Sequence, residues 1–400
     1  MQAMLGVSEA KQRIMSSLPQ VGVEQVAVSE AGGRICAVDV TASRALPPSD
    51  NSAMDGFAVR SADLPGDVPI AGTIAAGDPP DRELQPGTVL RIMTGAPLPK
   101  GADAVVMREN VNDKGDVAEF AEPAIVARHI RRAGEDIAIG DAILKAGTII
   151  DAGAVGLLAA QGHVEVAVAK RPRVGILSTG DELVKLGVEP SAGQIINSNA
   201  HALAAQVREA GGEPVILGIA ADNLADSVAK LETGLQTDML LTCGGVSVGD
   251  FDFVKQAFDT VGVKVDFWKV AIKPGKPLVF GHSETGTPVF GLPGNPVSAM
   301  VTFEIFARPA VLAMQGAATV ERPRVPVTMN EAVRKKPGRA HYIRSRLNRQ
   351  GHQLNASALS KQGSGMLSSM MNVDALVIVA EEAGDQPAGA AAEALLLRAV

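Results

Sequence analysis

The sequence predicts a multidomain α/β protein: a central doubly wound, mostly parallel α/β domain, β-rich lobes and a C-terminal all-β domain. Three observations carry that expectation. Residues 173 to about 315 alternate strand, loop and helix, as a parallel sheet with crossover helices requires. Residues 23–148 and 322–400 carry short strands punctuated by Gly and Pro instead. A length of 400 residues allows about two to four domains at ~100–200 residues each.

The elements follow in order. Leu5, Ala10, Ile14 and Leu18 recur at helical spacing with Glu9, Lys11 and Arg13 between them, so residues 1–20 read as an amphipathic helix ended at Leu18-Pro19. That charged pattern is not a signal peptide. Short strands are expected over 56–60, 68–75, 88–93, 104–108 and 117–120. A helix is expected after Asp151 as N-cap, with Gly162 just past its end, and Lys170-Arg171-Pro172-Arg173 reads as a linker. In the α/β stretch, strands are expected at 174–177, 215–219, 239–241 and 289–291. Helices are expected at about 199–210, 224–235, 253–258 and 298–314, with a hairpin across 265–280. Strands at 325–329, 342–347 and 375–379 complete the chain.

Composition narrows the function. With 37 Lys+Arg against 44 Asp+Glu, the chain is mildly acidic, which argues against nucleic-acid binding. Aromatics are 3% of residues, too few for a base-stacking platform. Cys36 and Cys243 are the only cysteines, so neither a disulfide framework nor a Cys-based zinc site is supported, and a reduced, cytoplasmic compartment fits. No apolar run approaches the ~18–20 residues of a membrane span, so no membrane partner is expected.

The segment Cys243-Gly244-Gly245-Val246-Ser247-Val248-Gly249-Asp250-Phe251-Asp252 combines two opposed chemistries. Glycines and a serine after an apolar strand suit a phosphate cradle, because backbone N–H groups curl around an anion only where no Cβ intrudes. Asp250 and Asp252 would repel that anion unless a cation accompanies it. An ordinary turn with solvated acids is the plain alternative.

Ligands of an open parallel sheet bind outside the carboxyl ends of its strands. Three more polar loops fall there: Ser178-Thr179-Gly180-Asp181-Glu182-Leu183, Ala221-Asp222-Asn223, and Gly291-Leu292-Pro293-Gly294-Asn295-Pro296-Val297-Ser298. Singly, Asp222, Asn223 or Ser298 reads equally as a helix cap. Together, Asp181, Glu182, Asp222, Asp250 and Asp252 would converge on one edge, where oxygen ligands suit Mg²⁺ shared with a phosphorylated substrate. In Lys273-Pro274-Gly275-Lys276 the Pro-Gly pair fits a type II turn, placing Lys273 and Lys276 at one hairpin end with Lys269 near them. Such lysines are a solvated surface or phosphate ligands. Outside this stretch lie the loop Asn51–Val59, whose Asp55 reads equally as a turn acid, the loop Met93–Pro99, whose Thr94 reads equally as a turn hydroxyl, and a basic run from Arg334 to Arg339 joined by Arg344, Arg346 and Arg349, which reads as a solvated surface face or as an anion-docking patch.

Seven segments in order resemble the molybdopterin molybdotransferase family, the MoeA type that includes the gephyrin E domain. They are Asn51–Val59, Met93–Pro99, Ser178–Leu183, Gly244–Asp252, Lys269–Pro277, Gly291–Ser298 and Gly363–Met370, spanning nearly the whole chain. The resemblance implies an N-terminal lobe (1–25 with about 42–50 and 138–170), a β-rich extended lobe (about 26–41 with 51–137), a molybdopterin-binding α/β domain (171–318) and a C-terminal β domain (322–400). It implies a homodimer whose active site is shared between subunits. The implied reaction inserts molybdenum from molybdate into adenylylated molybdopterin, with Mg²⁺ and release of AMP, in molybdenum cofactor biosynthesis. An upstream molybdopterin adenylyltransferase is the implied partner.

By motif match, Asp55, Thr94, Glu182, Asp222 and Asp252 are the implied catalytic set, and Asp222, Asp250 and Asp252 the implied metal ligands. Thr179, Gly180, Asp181, Gly244, Gly245, Ser247 and Gly249, with Pro293, Gly294, Asn295, Pro296 and Ser298, would cradle the pterin nucleotide. Lys269, Lys273 and Lys276 would neutralise phosphate or hold molybdate. Two other readings are a molybdopterin adenylyltransferase and a non-catalytic, gephyrin-like scaffold.

Overall fold

Six strands build the central sheet: β1 (Arg173–Thr179), β2 (Glu213–Ala220), β3 (Met239–Cys243), β4 (Lys264–Lys269), β5 (Pro277–His282) and β6 (Pro288–Leu292). This computed structural model describes residues 4–245 and 251–398, and of residues 251–254 the backbone alone. The sheet order is β2-β1-β3-β6-β5-β4; the first four strands are parallel, and β5 runs antiparallel to both its neighbours. β1 and β3 are buried along most or all of their length, which explains their unbroken apolar runs.

Helices α1 (Ser198–Glu209), α2 (Leu224–Gly234), α3 (Phe251–Thr260) and α4 (Pro296–Met314) cross between these strands. One core joins α1 and α4 to one face of the sheet; Leu231, Ala257 and Phe258, from α2 and α3, pack with Leu177, Leu240, Val279 and Val289. Among the described residues α4 is the one helix long and apolar enough to cross a membrane, and 83% of it is buried inside the protein. It is a core helix.

The C-terminal strands β7 (Arg324–Met329), β8 (Ala340–Gln350), β9 (Gln353–Ala358), β10 (Ala375–Val379) and β11 (Ala391–Leu396) run in the order β8-β9-β7-β11-β10, and β10 pairs back onto β8. The result is a closed all-strand barrel around Val327, Ile343, Val377 and Ala394.

By its contacts the chain divides into two compact units, one of Met1–Val38, Ala146–Asp151 and Glu165–Val400, the other of Asp39–Lys145 and Ala152–Val164. The second holds a six-stranded sheet whose order is 104–107, 56–59, 89–92, 66–74, 117–120, 111–113. It also holds the helix Ala152–Ala160, closed by Gly162 at φ +81 with the His163 N–H on the Leu158 carbonyl and the Gly162 N–H on Ala159.

Two local expectations change. The N-terminal helix is Val7–Met15, not 1–20: Leu5 pairs its backbone with Lys269 and Ala271, and the Ser16 and Ser17 hydroxyls bond back to the Arg13 carbonyl at the other end. Residues between β4 and β5 do not close a type II turn over Pro274-Gly275. The Lys273–Pro274 peptide is cis, and Ile272–Lys273 leaves the hairpin to pair in parallel with Ala340 and His341 of β8.

Candidate functional site

From β1 the chain winds to β2 on one side and then to β3 on the other, so the winding direction reverses between β1 and β3. Such switch points are where open α/β sheets bind ligands. A cavity of about 620 Å³ opens there. Of the residues expected at the site, Thr179, Gly180, Glu182, Asp222, Gly244, Gly245, Pro293, Gly294, Asn295, Pro296 and Ser298 line it.

The floor is built by close backbone approach. Gly244 has φ +104, and a Cβ on it would sit 2.6 Å from the Thr179 carbonyl oxygen and 2.8 Å from the Thr179 hydroxyl. Only glycine fits there. The Thr179 hydroxyl itself is buried without a hydrogen-bond partner, an oxygen left over for a ligand.

The acids are arranged rather than merely gathered. The Asp222 N–H donates to Asp181 Oδ1 at 3.0 Å, and the Asp181 N–H donates to Asp222 Oδ2 at 3.3 Å. Each carboxylate thus fixes the other's loop, and of the two Asp222 lines the cavity. Asn223, not Asp222, caps α2, accepting from the Asp226 N–H at 2.9 Å. Ser298 caps nothing: Asn295 occupies the N-cap position of α4, with Pro296 in the first turn. Hard cations take oxygen donors, and the Asp222 and Glu182 carboxylates on the cavity wall are of that kind. Among the described residues no three metal-ligating side chains form a group. Ser247, Gly249 and Asp250 lie outside the described residues, as does the side chain of Asp252.

Residues that the sequence reading passed over tie these loops together. Asn197, 6% exposed, accepts from the Ser178 hydroxyl at 3.0 Å and from the Ala200 N–H at 3.4 Å, joining β1 to the first turn of α1. Asn199 donates to the Gly294 carbonyl at 2.7 Å and to Cys243 Sγ at 3.2 Å. The Asn197-Ser198-Asn199 run just before a helical pattern is a capping signal that could have exposed this role. Burial pushes the Cys243 thiol up to about 12, so it is a neutral packing group and not a nucleophile.

The lysines stand apart from this cavity. Lys269, Lys273 and Lys276 do not line it, although Pro277 does. A different cation is conspicuous. Arg344 is 1% exposed; its Nη2 donates to the Lys361 and Gly363 carbonyls at 3.1 and 3.3 Å, while Nε and Nη1 have no partner. Burial lowers its pKa to about 10. The loop that holds it continues to Ser364, whose carbonyl takes the Val297 N–H at 3.0 Å, and to Gly365 on the cavity wall. In the other unit, Asp55 and Thr94 are exposed and directly bonded.

Three family models cover nearly all of the chain: the MoeA N-terminal region (domain I and II) over residues 5–162, a probable molybdopterin binding domain over 175–313, and the MoeA C-terminal region (domain IV) over 326–397. The molybdopterin molybdenumtransferase of Haemophilus influenzae is 38% identical over 397 residues, which is 96% of this chain and 97% of that protein. The chain belongs to the molybdopterin molybdenumtransferase family. That of Bacillus subtilis is 33% identical over 98% of this chain and 94% of its own length. The crystal structure of the molybdopterin biosynthesis moeA protein from Pyrococcus horikoshii OT3 superposes with a TM-score of 0.85 at 28% identity, covering 98% of this chain and 100% of that one. As a member of this family, the chain is a transferase-type enzyme of molybdenum cofactor biosynthesis, as the motif resemblance implied. The molybdopterin-binding model spans the cleft loops from Thr179 to Ser298, and the N-terminal model spans Asp55 and Thr94.

Proposed function

We propose that the chain is a molybdopterin molybdenumtransferase, moving molybdenum from molybdate into adenylylated molybdopterin with release of AMP. The observation that carries this reading is full-length similarity to transferases of that name, together with a polar, glycine-floored cavity at the switch point of the sheet. Water attacks the phosphoanhydride so that AMP leaves, and the dithiolene sulfurs take the metal from molybdate, one oxide departing as water with the two thiol protons.

The chain's own groups have separable tasks in this scheme. The Gly244–Gly245 backbone and the Thr179 hydroxyl hold the nucleotide phosphate, and the Pro293–Ser298 loop, kept in place by Asn199, flanks it. Asp222, oriented by Asp181, and Glu182 present carboxylate oxygens, with Asp252 and Asp250 as the further acids of the set. Mg²⁺ bound by Asp222, Asp250 and Asp252 would neutralise the departing phosphate. Lys269, Lys273 and Lys276 supply positive charge for the molybdate oxyanion, and the unpartnered N–H groups of Arg344 offer a further donor set. Positioned charge is the lever, as in other phosphoryl chemistry. Asp55 and Thr94 act from a neighbouring subunit of a homodimer, in the cytoplasm, downstream of a molybdopterin adenylyltransferase.

The test is direct. Purified protein is mixed with adenylylated molybdopterin, molybdate and Mg²⁺, and AMP is followed. Molybdate-dependent AMP release with formation of molybdenum cofactor is the expected result. Accumulation of adenylylated pterin from molybdopterin and ATP would instead make this an adenylyltransferase. If Asp55→Ala and Asp252→Ala complement a deficient strain as well as the unaltered chain does, the role is that of a scaffold.

A further inference from the structure

A second cavity, of about 720 Å³, shares none of its lining residues with the cleft. Its walls are cationic: Lys273, Arg334, Lys336 and Arg339, with His341 and Asp385. The fold gathers these charges from two directions. Lys273 arrives opposite His341 because Ile272–Lys273 pairs with the start of β8. The 334–339 run is pinned at buried Lys335, whose ammonium donates to the Glu381 and Ala383 carbonyls at 3.0 and 2.7 Å and whose N–H donates to Asp385 Oδ1 at 2.7 Å. Arg334 and Lys336 on either side are left exposed, as is Arg339.

Among the described residues none of Lys273, Arg334, Lys336 and Arg339 has a carboxylate partner. The one acid on the wall, Asp385, is engaged by the Lys335 backbone. His341 adds an independent sign of a ligand. Its ring is 8% exposed and Nδ1 has no hydrogen-bond partner, which is costly for a buried polar atom unless something arrives to satisfy it. Burial pushes its pKa down to about 4, and Lys273, Lys335, Arg339 and Arg344 push the same way, so the ring is neutral within a strongly positive field. His341 and Arg344 lie three residues apart on β8 and so face opposite sides of it; Tyr342 packs with the central core and Ile343 with the barrel core. The Arg344 guanidinium and this cavity are therefore different places.

We propose that this cavity is a second anion site, taking a tetrahedral oxyanion, free or as a phosphate monoester, held by Lys273, Arg334 and Arg339 with the His341 Nδ1–H as its buried donor. Lys273 also belongs to the lysine set assigned to molybdate above, so for that one residue the site rests on the transferase reading, while Arg334, Arg339 and His341 carry it on their own geometry.

With six histidines in the chain, ring signals of the ¹³C-histidine-labelled protein can be followed singly, His341 being identified by the peak missing in His341→Gln. Titration with inorganic phosphate at neutral pH should shift the His341 signal saturably. Arg334→Gln/Arg339→Gln should weaken that response about tenfold or more, the loss expected of a charge-assisted hydrogen bond, with unchanged circular dichroism. Lys276→Ala should leave it as in the unaltered chain. Repeating the titration with AMP and with molybdate separates the sources: a response to AMP assigns a phosphate monoester, and a response to phosphate and molybdate without AMP assigns a free oxyanion. A His341 signal unmoved by all three, or moved equally in the double variant, overturns the proposal.

Discussion

Asp55 Oδ1 accepts two hydrogen bonds from Thr94, 2.7 Å from its N–H and 2.8 Å from its hydroxyl, across 39 residues of sequence. The residues stand at the ends of neighbouring antiparallel strands, where Gly56 pairs with Ile92, so the two loops meet by register. The Thr94 backbone bond, then its hydroxyl, hold the Asp55 carboxyl below its ordinary pKa, with Arg108 contributing. The group remains a carboxylate to lower pH than in the unfolded chain. Its stabilisation is present above the unfolded pKa and is lost as pH falls through the lowered one. Thr94→Val keeps the N–H and removes the hydroxyl, so an NMR titration should find the Asp55 pKa raised toward its ordinary value. Asp55→Asn should cut AMP release by roughly 10²-fold or more with only a small fall in melting temperature, since the side chain is exposed. A large fall in melting temperature would make Asp55 a structural turn acid instead.

Gly244→Ala puts a methyl group 2.6 Å from the Thr179 carbonyl at a φ that L residues rarely adopt. We expect about 1–3 kcal/mol of destabilisation in urea unfolding. Calorimetry should also show AMP binding lost, because the methyl fills the floor of the cleft.

His341 should give the protein an acid-sensitive step. Its folded pKa, about 4, lies below the unfolded value near 6.5, so the neutral ring contributes stability above about 6.5 that is lost as pH falls toward 4. The size is on the order of 3 kcal/mol. Urea midpoints of the unaltered chain should fall over that window more steeply than those of His341→Asn. Parallel curves would show that the ring does not titrate on unfolding.

Glu304, 6% exposed in the π turn of α4, bonds Arg322 and lies 3.5 Å from Arg308. Glu304→Gln leaves two half-buried cations without their buried carboxylate and should cost about 3–5 kcal/mol, read by chemical unfolding. Glu9→Gln, an exposed partner of Arg13 with the same one-turn spacing, should change the same midpoint by less than about 1 kcal/mol.

Much of the architecture was legible because periodicity is local information. Strand–loop–helix alternation announced the central sheet, and the helix expected at about 199–210 is closed at Gly211 with the Gly212 N–H on the Val207 carbonyl. The hairpin tip was not legible. The β8 residues that pair with Ile272 and Lys273 lie far downstream, and nothing within 269–277 announces them. Arg344 read as one more surface cation, because sequence carries charge but not burial.

The chain's own order of residues therefore determined the fold class, the family and the identity of the loops at the sheet's edge, since each depends on residue type at short spacing. Tertiary structure alone decided that Asp181 holds Asp222, that Asn199 ties Gly294 to Cys243, and that Lys273 belongs to a separate cationic cavity. Those outcomes depend on which strand ends become neighbours, and strand order and register are set by packing over the whole chain.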